Sequence, residues 1–180
     1  DHKGKKISSY RVNMGDEKYL TLNRKRLVGV LYDKYLEHGG EVVFNNKIED
    51  FKKNDITSKD KSLDTELIFG CDGINSLCRT KKFKSVPPLF SGFIAWRSIK
   101  ESSCPFEKNN GEDINFYLGP NSHIVTYPIG ERTYSATCII KSSDWTEESW
   151  ILRGSKVEFK SDFKDWNDDL LSYLSDSELY

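Results

Sequence analysis

Glu66-Leu67-Ile68-Phe69-Gly70-Cys71-Asp72-Gly73-Ile74-Asn75-Ser76-Leu77-Cys78-Arg79 is the stretch on which the fold turns. A short apolar run with the length of a buried strand stops at glycine, an acid and a second glycine, then passes into a polar turn closed by an arginine. In open α/β sheets, ligands sit beyond the carboxyl ends of the strands, where a carboxylate accepts from ribose hydroxyls and glycine lets the backbone come close. Asp-Gly is also the commonest hairpin signal, and the dipeptide alone reads equally well as a plain turn. The residues after it argue against a hairpin. Positions 74–80 show no apolar/polar alternation that could pair back, whereas Asn75, Ser76 and Arg79 suit the capped start of a helical turn.

On the N-terminal side, 52–64 is a charged, turn-rich connection that reads as a solvent-exposed hairpin tip in a three-stranded excursion, preceded by strand patterns at 48–51 and 41–44. Before these, Leu27, Val30, Leu31 and Tyr35 recur at helical spacing after Asn23, and Gly39-Gly40 ends the run. Arg24 opens that helix, where a cation opposes the helix dipole; an anionic ligand would give it a reason to be there. Residues 1–22 hold two β-prone pieces, 7–12 and 19–22, divided by a turn at 14–17.

On the C-terminal side, Pro87-Pro88 marks a boundary, and the pattern beyond it is β. Along 93–99, Phe93, Ala95, Arg97 and Ile99 share one face. An arginine on an otherwise apolar face is costly unless it meets an anion or a carboxylate, so Arg97 is a candidate site residue or half of an ordinary salt bridge. Strands are expected at 114–118, 123–127 and 134–140, with loops at 102–113 and 141–154. His123, Val125 and Tyr127 then point the same way, placing an imidazole and a phenol on one sheet face. An edge histidine in solvent is the plainer alternative. One helix is expected over 157–174, with Phe159, Phe163, Trp166, Leu170, Leu171 and Leu174 on its apolar side.

Composition narrows the function classes. With 37% hydrophobic and 31% charged residues and a net charge of -1, the 180 residues read as globular, with no case for nucleic acid or an anionic membrane as partner. No apolar run nears the ~20 residues of a membrane span. Cys71, Cys78, Cys104 and Cys138 form no C-x-x-C pair, so they read as reduced thiols rather than a zinc site or a disulfide framework, and the expected compartment is the cytoplasm. The first residue is not Met and the last ones follow directly on a helical pattern, which leads us to expect an internal piece of a longer chain.

Taken together, Asn23-Arg24-Lys25-Arg26-Leu27, Gly70-Cys71-Asp72-Gly73-Ile74-Asn75-Ser76-Leu77-Cys78-Arg79, Ala95-Trp96-Arg97 and His123-Ile124-Val125-Thr126-Tyr127-Pro128 resemble the FAD-dependent single-component monooxygenases of the salicylate hydroxylase and 3-hydroxybenzoate hydroxylase type. The resemblance runs along nearly the whole chain, and its most specific motif is the Asp-Gly turn. It implies a fold of α/β with α+β character, a partial Rossmann-like FAD-binding domain plus an antiparallel-sheet substrate domain. The expected division is 1–22 as a β-hairpin segment, 23–86 as part of the FAD domain, 87–156 as the substrate domain, and 157–180 as a helix returning towards the FAD domain. In such enzymes NADH or NADPH reduces the flavin, and one oxygen of O2 passes to a small phenolic or aromatic-acid substrate. Carried over by motif position, Arg24 contacts FAD, Asp72 and Gly73 serve FAD and the nicotinamide cofactor, and Arg79 supports their turn. Arg97, His123 and Tyr127 line the substrate pocket, with His123 and Tyr127 the catalytic candidates and no metal required. The complete enzyme leaves room for a homodimer.

Two family motifs are missing. None of the twelve glycines forms the Gly-x-Gly-x-x-Gly turn that holds the FAD pyrophosphate, and the later Gly-Asp motif does not occur. The expectation is therefore a flavin hydroxylase fragment that is inactive by itself. Two alternatives stay open: a non-catalytic β-rich module binding a small aromatic or acidic ligand, and another FAD-dependent oxidoreductase or epoxidase of the same fold.

Overall fold

A computed structural model describes residues 1–9, 19–52, 55–59, 61–83, 87–101, 113–143 and 152–180. The chain divides into two units, one of residues 1–31 with 91–180 and one of residues 32–90.

The larger unit is built on a five-stranded antiparallel sheet. Its strands are β4 (Phe93–Lys100), β5 (Asn115–Gly119), β6 (Ser122–Gly130), β7 (Thr133–Lys141) and β8 (Glu178–Leu179), ordered β5-β6-β7-β4-β8. Alternation in β6 and β7 explains the two faces. Ile124 and Thr126 in β6 and Ala136 and Cys138 in β7 are buried, while the residues between them are half-exposed. Helices α3 (Lys156–Asp162) and α4 (Asp168–Ser175) supply the other half of this core. Trp96, Phe159, Phe163 and Trp166 form a chain of ring contacts with centroids 5.1 to 5.7 Å apart. The Trp96 indole N–H donates to Asp162 Oδ2 at 2.9 Å, so its one polar atom is satisfied.

The single helix expected over 157–174 is two helices. Ser155 caps α3, and Asn167 caps α4 by accepting from the Leu170 N–H at 3.0 Å. Asn167 also donates its own N–H to the His2 carbonyl at 2.9 Å, which fixes the break between the helices. Both helices pack on this sheet, and the chain then ends in β8, where Arg97 and Tyr180 exchange backbone hydrogen bonds at 2.8 and 2.9 Å.

Helix α1 (Arg24–Glu37) forms as the spacing predicts, with Asn23 Oδ1 accepting from the Lys25 N–H at 2.9 Å and Gly39 at φ +80° beyond its end. None of its residues is buried: the expected apolar positions Leu27, Val30, Leu31 and Tyr35 are exposed.

The smaller unit holds a three-stranded antiparallel sheet, β1 (Ile48–Lys52), β2 (Asp55–Ser58) and β3 (Ser62–Asp64), and helix α2 (Leu77–Phe83). The expected strand at 48–51 is present and β2 and β3 form in the stretch expected as a hairpin tip, while neither 41–44 nor 66–69 is a strand. Strands require a ladder partner, and among the described residues these two apolar runs have none. Val43, Phe44, Leu67 and Phe69 are accordingly exposed, Phe69 at 80%. At the N-terminus the expected β-pieces are also corrected: residues 7–9 and 19–22 form no strand, and 10–18 lie outside the described residues. Most of both expected loops, 102–112 and 144–151, lies outside them too.

Candidate functional site

Two groups of sequence-predicted residues take shape, one in each unit. In the smaller unit, Asp72 is exposed and stands at the start of α2. Its Oδ1 accepts from the Ser76 hydroxyl at 2.6 Å and its Oδ2 from the Cys78 N–H at 3.1 Å. Ser76, itself buried, accepts from the Arg79 N–H at 2.9 Å. The carboxylate and the hydroxyl thus satisfy two of the donors that a helix leaves open at its N-terminus. Gly73 has φ +77°, which explains a glycine there, and nothing lies within 4 Å of where a side chain would begin. The Arg79 guanidinium donates to the Ile74 carbonyl and ties the turn across itself. Lys81 pairs with Asp50 at 3.3 Å, joining α2 to β1.

The Ser76 hydroxyl, followed by the Cys78 N–H, lowers the Asp72 carboxyl from an ordinary 3.8 to about 2. Because the folded value is depressed, the stabilisation is fully present above about 4 and is lost as pH falls towards 2. Amide exchange at Cys78 should therefore lose protection across that window in the wild type, and Asp72→Ala should lose it already at neutral pH. Exchange unchanged by the substitution would contradict this cap.

In the larger unit, Arg97, His123 and Tyr127 lie on the sheet face opposite buried Trp96, Ser98, Ile124 and Thr126. Register sets their spacing. Arg97 pairs with Thr137, which pairs with Val125; His123 pairs with Ile139 on one side of that row, and Tyr127 with Ser135 on the other. Arg97 is half-buried, and this desolvation is the first cause holding its guanidinium below the usual arginine range. The Tyr127 phenol acts in the opposite direction and the positive charge of Arg24 in the same one, so all three lie within electrostatic reach. The Thr21 hydroxyl donates to the Pro128 carbonyl, anchoring the segment that leads into Arg24 against the end of β6. That sequence-distant meeting of Arg24 with Arg97 has no signal in spacing.

The face around them is strongly apolar. Phe93, Ile99, Phe116 and Leu118 are exposed on it or along its edge strand β5. Sequence reading also missed Thr126 and Asn115, which are register partners; Thr126 Oγ1 and Asn115 Nδ2 are buried and find no hydrogen-bond partner among the described residues. Thr126 belongs to the helix-covered face, away from Arg97. Among the described residues no cluster of His, Cys, Asp and Glu could hold a metal ion, and no helix is long and apolar enough to cross a membrane.

These groups fit FAD in kind. An exposed, ionised carboxylate beside an open glycine can accept from ribose hydroxyls, since each oxygen keeps a lone pair beyond its present bond. Arginines suit an anionic group. The pyrophosphate turn itself is absent from these 180 residues.

Comparison with solved structures bears out the mixed helix and antiparallel-sheet fold, which is shared with a salicylate hydroxylase solved as its substrate complex, at a TM-score of 0.68 and 17% identity over 87% of this chain and 44% of that one. CtdE, solved in complex with FAD and a substrate, superposes with a TM-score of 0.71 at 16% identity, over 87% of this chain and 43% of that one. In sequence, the chain is 27% identical over 113 residues to a 3-amino-4-hydroxybenzoate 2-monooxygenase of Streptomyces platensis, covering 62% of this chain and 28% of the relative. It is 25% identical over 155 residues to the 3-hydroxybenzoate 6-hydroxylase of Klebsiella oxytoca, covering 81% of this chain and 38% of the relative. The chain thus spans roughly a third of these curated relatives, and its sequence resembles hydroxybenzoate monooxygenases while its fold resembles those of CtdE and a salicylate hydroxylase. No family model matches it.

Proposed function

We propose that this chain is the middle part of a flavin-dependent monooxygenase that hydroxylates a small phenolic or aromatic-acid substrate with FAD, NAD(P)H and O2. The observation that carries the reading is the Arg97, His123 and Tyr127 face: a cation, an imidazole and a phenol on adjacent rows of one sheet face with exposed apolar neighbours. Such a surface suits a flat aromatic ring with one acidic substituent, with the few polar groups fixing its orientation.

In this reading residues 23–86 belong to the FAD-binding domain and 87–156 form the substrate domain. Asp72 and Gly73 serve FAD and the pyrophosphate region of the nicotinamide cofactor, Arg79 supports their turn, and Arg24 contacts FAD at an anionic group. FAD, when bound, supplies the redox and oxygen chemistry. The protein's own contribution is at the substrate. Arg97 attracts the acidic substituent, His123 takes the phenol proton at its ring nitrogen so that the ring becomes electron-rich, and Tyr127 donates a hydrogen bond that orients it. Apolar neighbours exclude water from the reacting centre.

The exposed apolar positions of α1, and separately Leu67 and Phe69, support the view that further polypeptide completes the FAD domain. The 180 residues alone should then bind FAD only weakly, because the diphosphate lacks the helix N-terminus that would neutralise it. Fluorescence titration of the isolated chain with FAD should give a dissociation constant well above micromolar; submicromolar affinity would sink the partial-site reading.

A further inference from the structure

We propose that Cys71 and Cys78 form an oxidant-sensitive dithiol that closes over Asp72 as an intramolecular disulfide. A side chain begun at Gly70 would meet both Cβ and Sγ of Cys78 at 2.8 Å, so the Cys78 side chain lies against the Gly70 backbone. Glycine is what admits it. Cys71 follows Gly70 directly, one Cα step of about 3.8 Å, whereas a disulfide spans Cα separations of roughly 4.4–6.8 Å. Cys78 is held in place because its backbone N–H donates to Asp72 Oδ2 at 3.1 Å.

The two thiols have different surroundings. Cys71 is exposed; Cys78 is half-buried, and burial first, then the Asp72 charge, pushes its thiol up. The charge of Cys71 adds to that effect, which places the two sulfurs within electrostatic reach of each other. This divides the roles: Cys71 meets the oxidant and Cys78 resolves it. With hydrogen peroxide, the Cys71 thiolate attacks one peroxide oxygen, an S–O bond forms, the O–O bond breaks and hydroxide leaves. Cys78 sulfur then attacks Cys71 sulfur, the S–S bond forms, the S–O bond breaks, and the oxygen leaves as water with the Cys78 proton. Two thiols and one peroxide give one disulfide and two waters. Cys138, fully buried with its thiol pushed far up, takes no part.

The test uses the purified protein carrying Cys104→Ser, so that Cys104 offers no competing partner. After treatment with hydrogen peroxide and blocking with N-ethylmaleimide, trypsin cleaves after Lys61 and Arg79, so that one peptide, residues 62–79, carries both cysteines. Mass spectrometry should show that peptide lighter by two hydrogens and unlabelled, taking up two maleimides only after reduction. Adding Cys71→Ser should leave Cys78 fully labelled. Sulfinic acid at Cys71 with Cys78 still labelled, or disulfides only between molecules, would overturn the proposal. A drop in FAD affinity on oxidation would depend on the proposed role of Asp72 as well, so the peptide mass decides the dithiol independently of the flavin reading.

Discussion

Phe163→Ala should destabilise the larger unit by about 3–5 kcal/mol, the range for truncating a large aromatic in a packed core. Phe163 is fully buried between Phe159 and Trp166, with ring centroids 5.1 and 5.4 Å away, so its loss leaves a void lined by rigid rings. The void also undermines the connection between α3 and α4, because Phe163 is the C-cap of α3. Urea unfolding followed by tryptophan fluorescence is a suitable measure, since Trp96 and Trp166 both belong to this cluster. Val157→Ala in the same helix is the control: Val157 is 78% exposed, and its substitution should stay within about 0.5 kcal/mol. Equal midpoints for the two variants would mean that the aromatic chain is not what holds the helices to the sheet.

The second large effect belongs to His123. A positioned general base contributes typically 100- to 10,000-fold. In the complete enzyme, His123→Ala should lower the hydroxylation rate by about that factor while leaving FAD affinity within about twofold, because the proposed role of His123 is to take the substrate's phenol proton, whereas Arg24, Asp72 and Gly73 are the residues proposed to hold the cofactor. The substitution should be structurally mild. His123 is half-exposed, and its cross-strand neighbours Leu118 and Ile139 keep the ladder through backbone bonds that alanine also makes.

The legibility of this fold in its sequence depends on whether an element's partners are close by. The faces of His123 and Tyr127 and of Arg97 follow from period-two alternation, and the hairpin-linked strands β5, β6 and β7 pair with their neighbours in the chain, whereas the pairing of β4 with β7, which brings Arg97 alongside, is not local. Helix α1 was equally readable from Asn23, the apolar spacing and Gly39. By contrast, the run 66–69 has the composition of a buried strand yet stands exposed, because composition describes what a segment can bury and not whether a neighbour is there to bury it. The break at Asn167 was hidden in an apolar pattern that continues across it; only the His2 contact, from the far end of the chain, reveals why the helix stops. Asp72 was found for its chemistry, whereas its work in capping α2 through Ser76 and Cys78 is visible only in the hydrogen bonds. The approach of Arg24 to Arg97 likewise depends on the Thr21 anchor, which no spacing encodes.

In the proposed reading, the Arg97, His123 and Tyr127 face receives the aromatic substrate. The decisive measurement is single-turnover hydroxylation of a phenolic substrate that the complete wild-type enzyme turns over, compared between wild type and His123→Ala across pH. The expected result is a slow variant that regains rate as pH rises towards the substrate phenol's own ionisation, with FAD binding unchanged. A variant with wild-type turnover at every pH would contradict it.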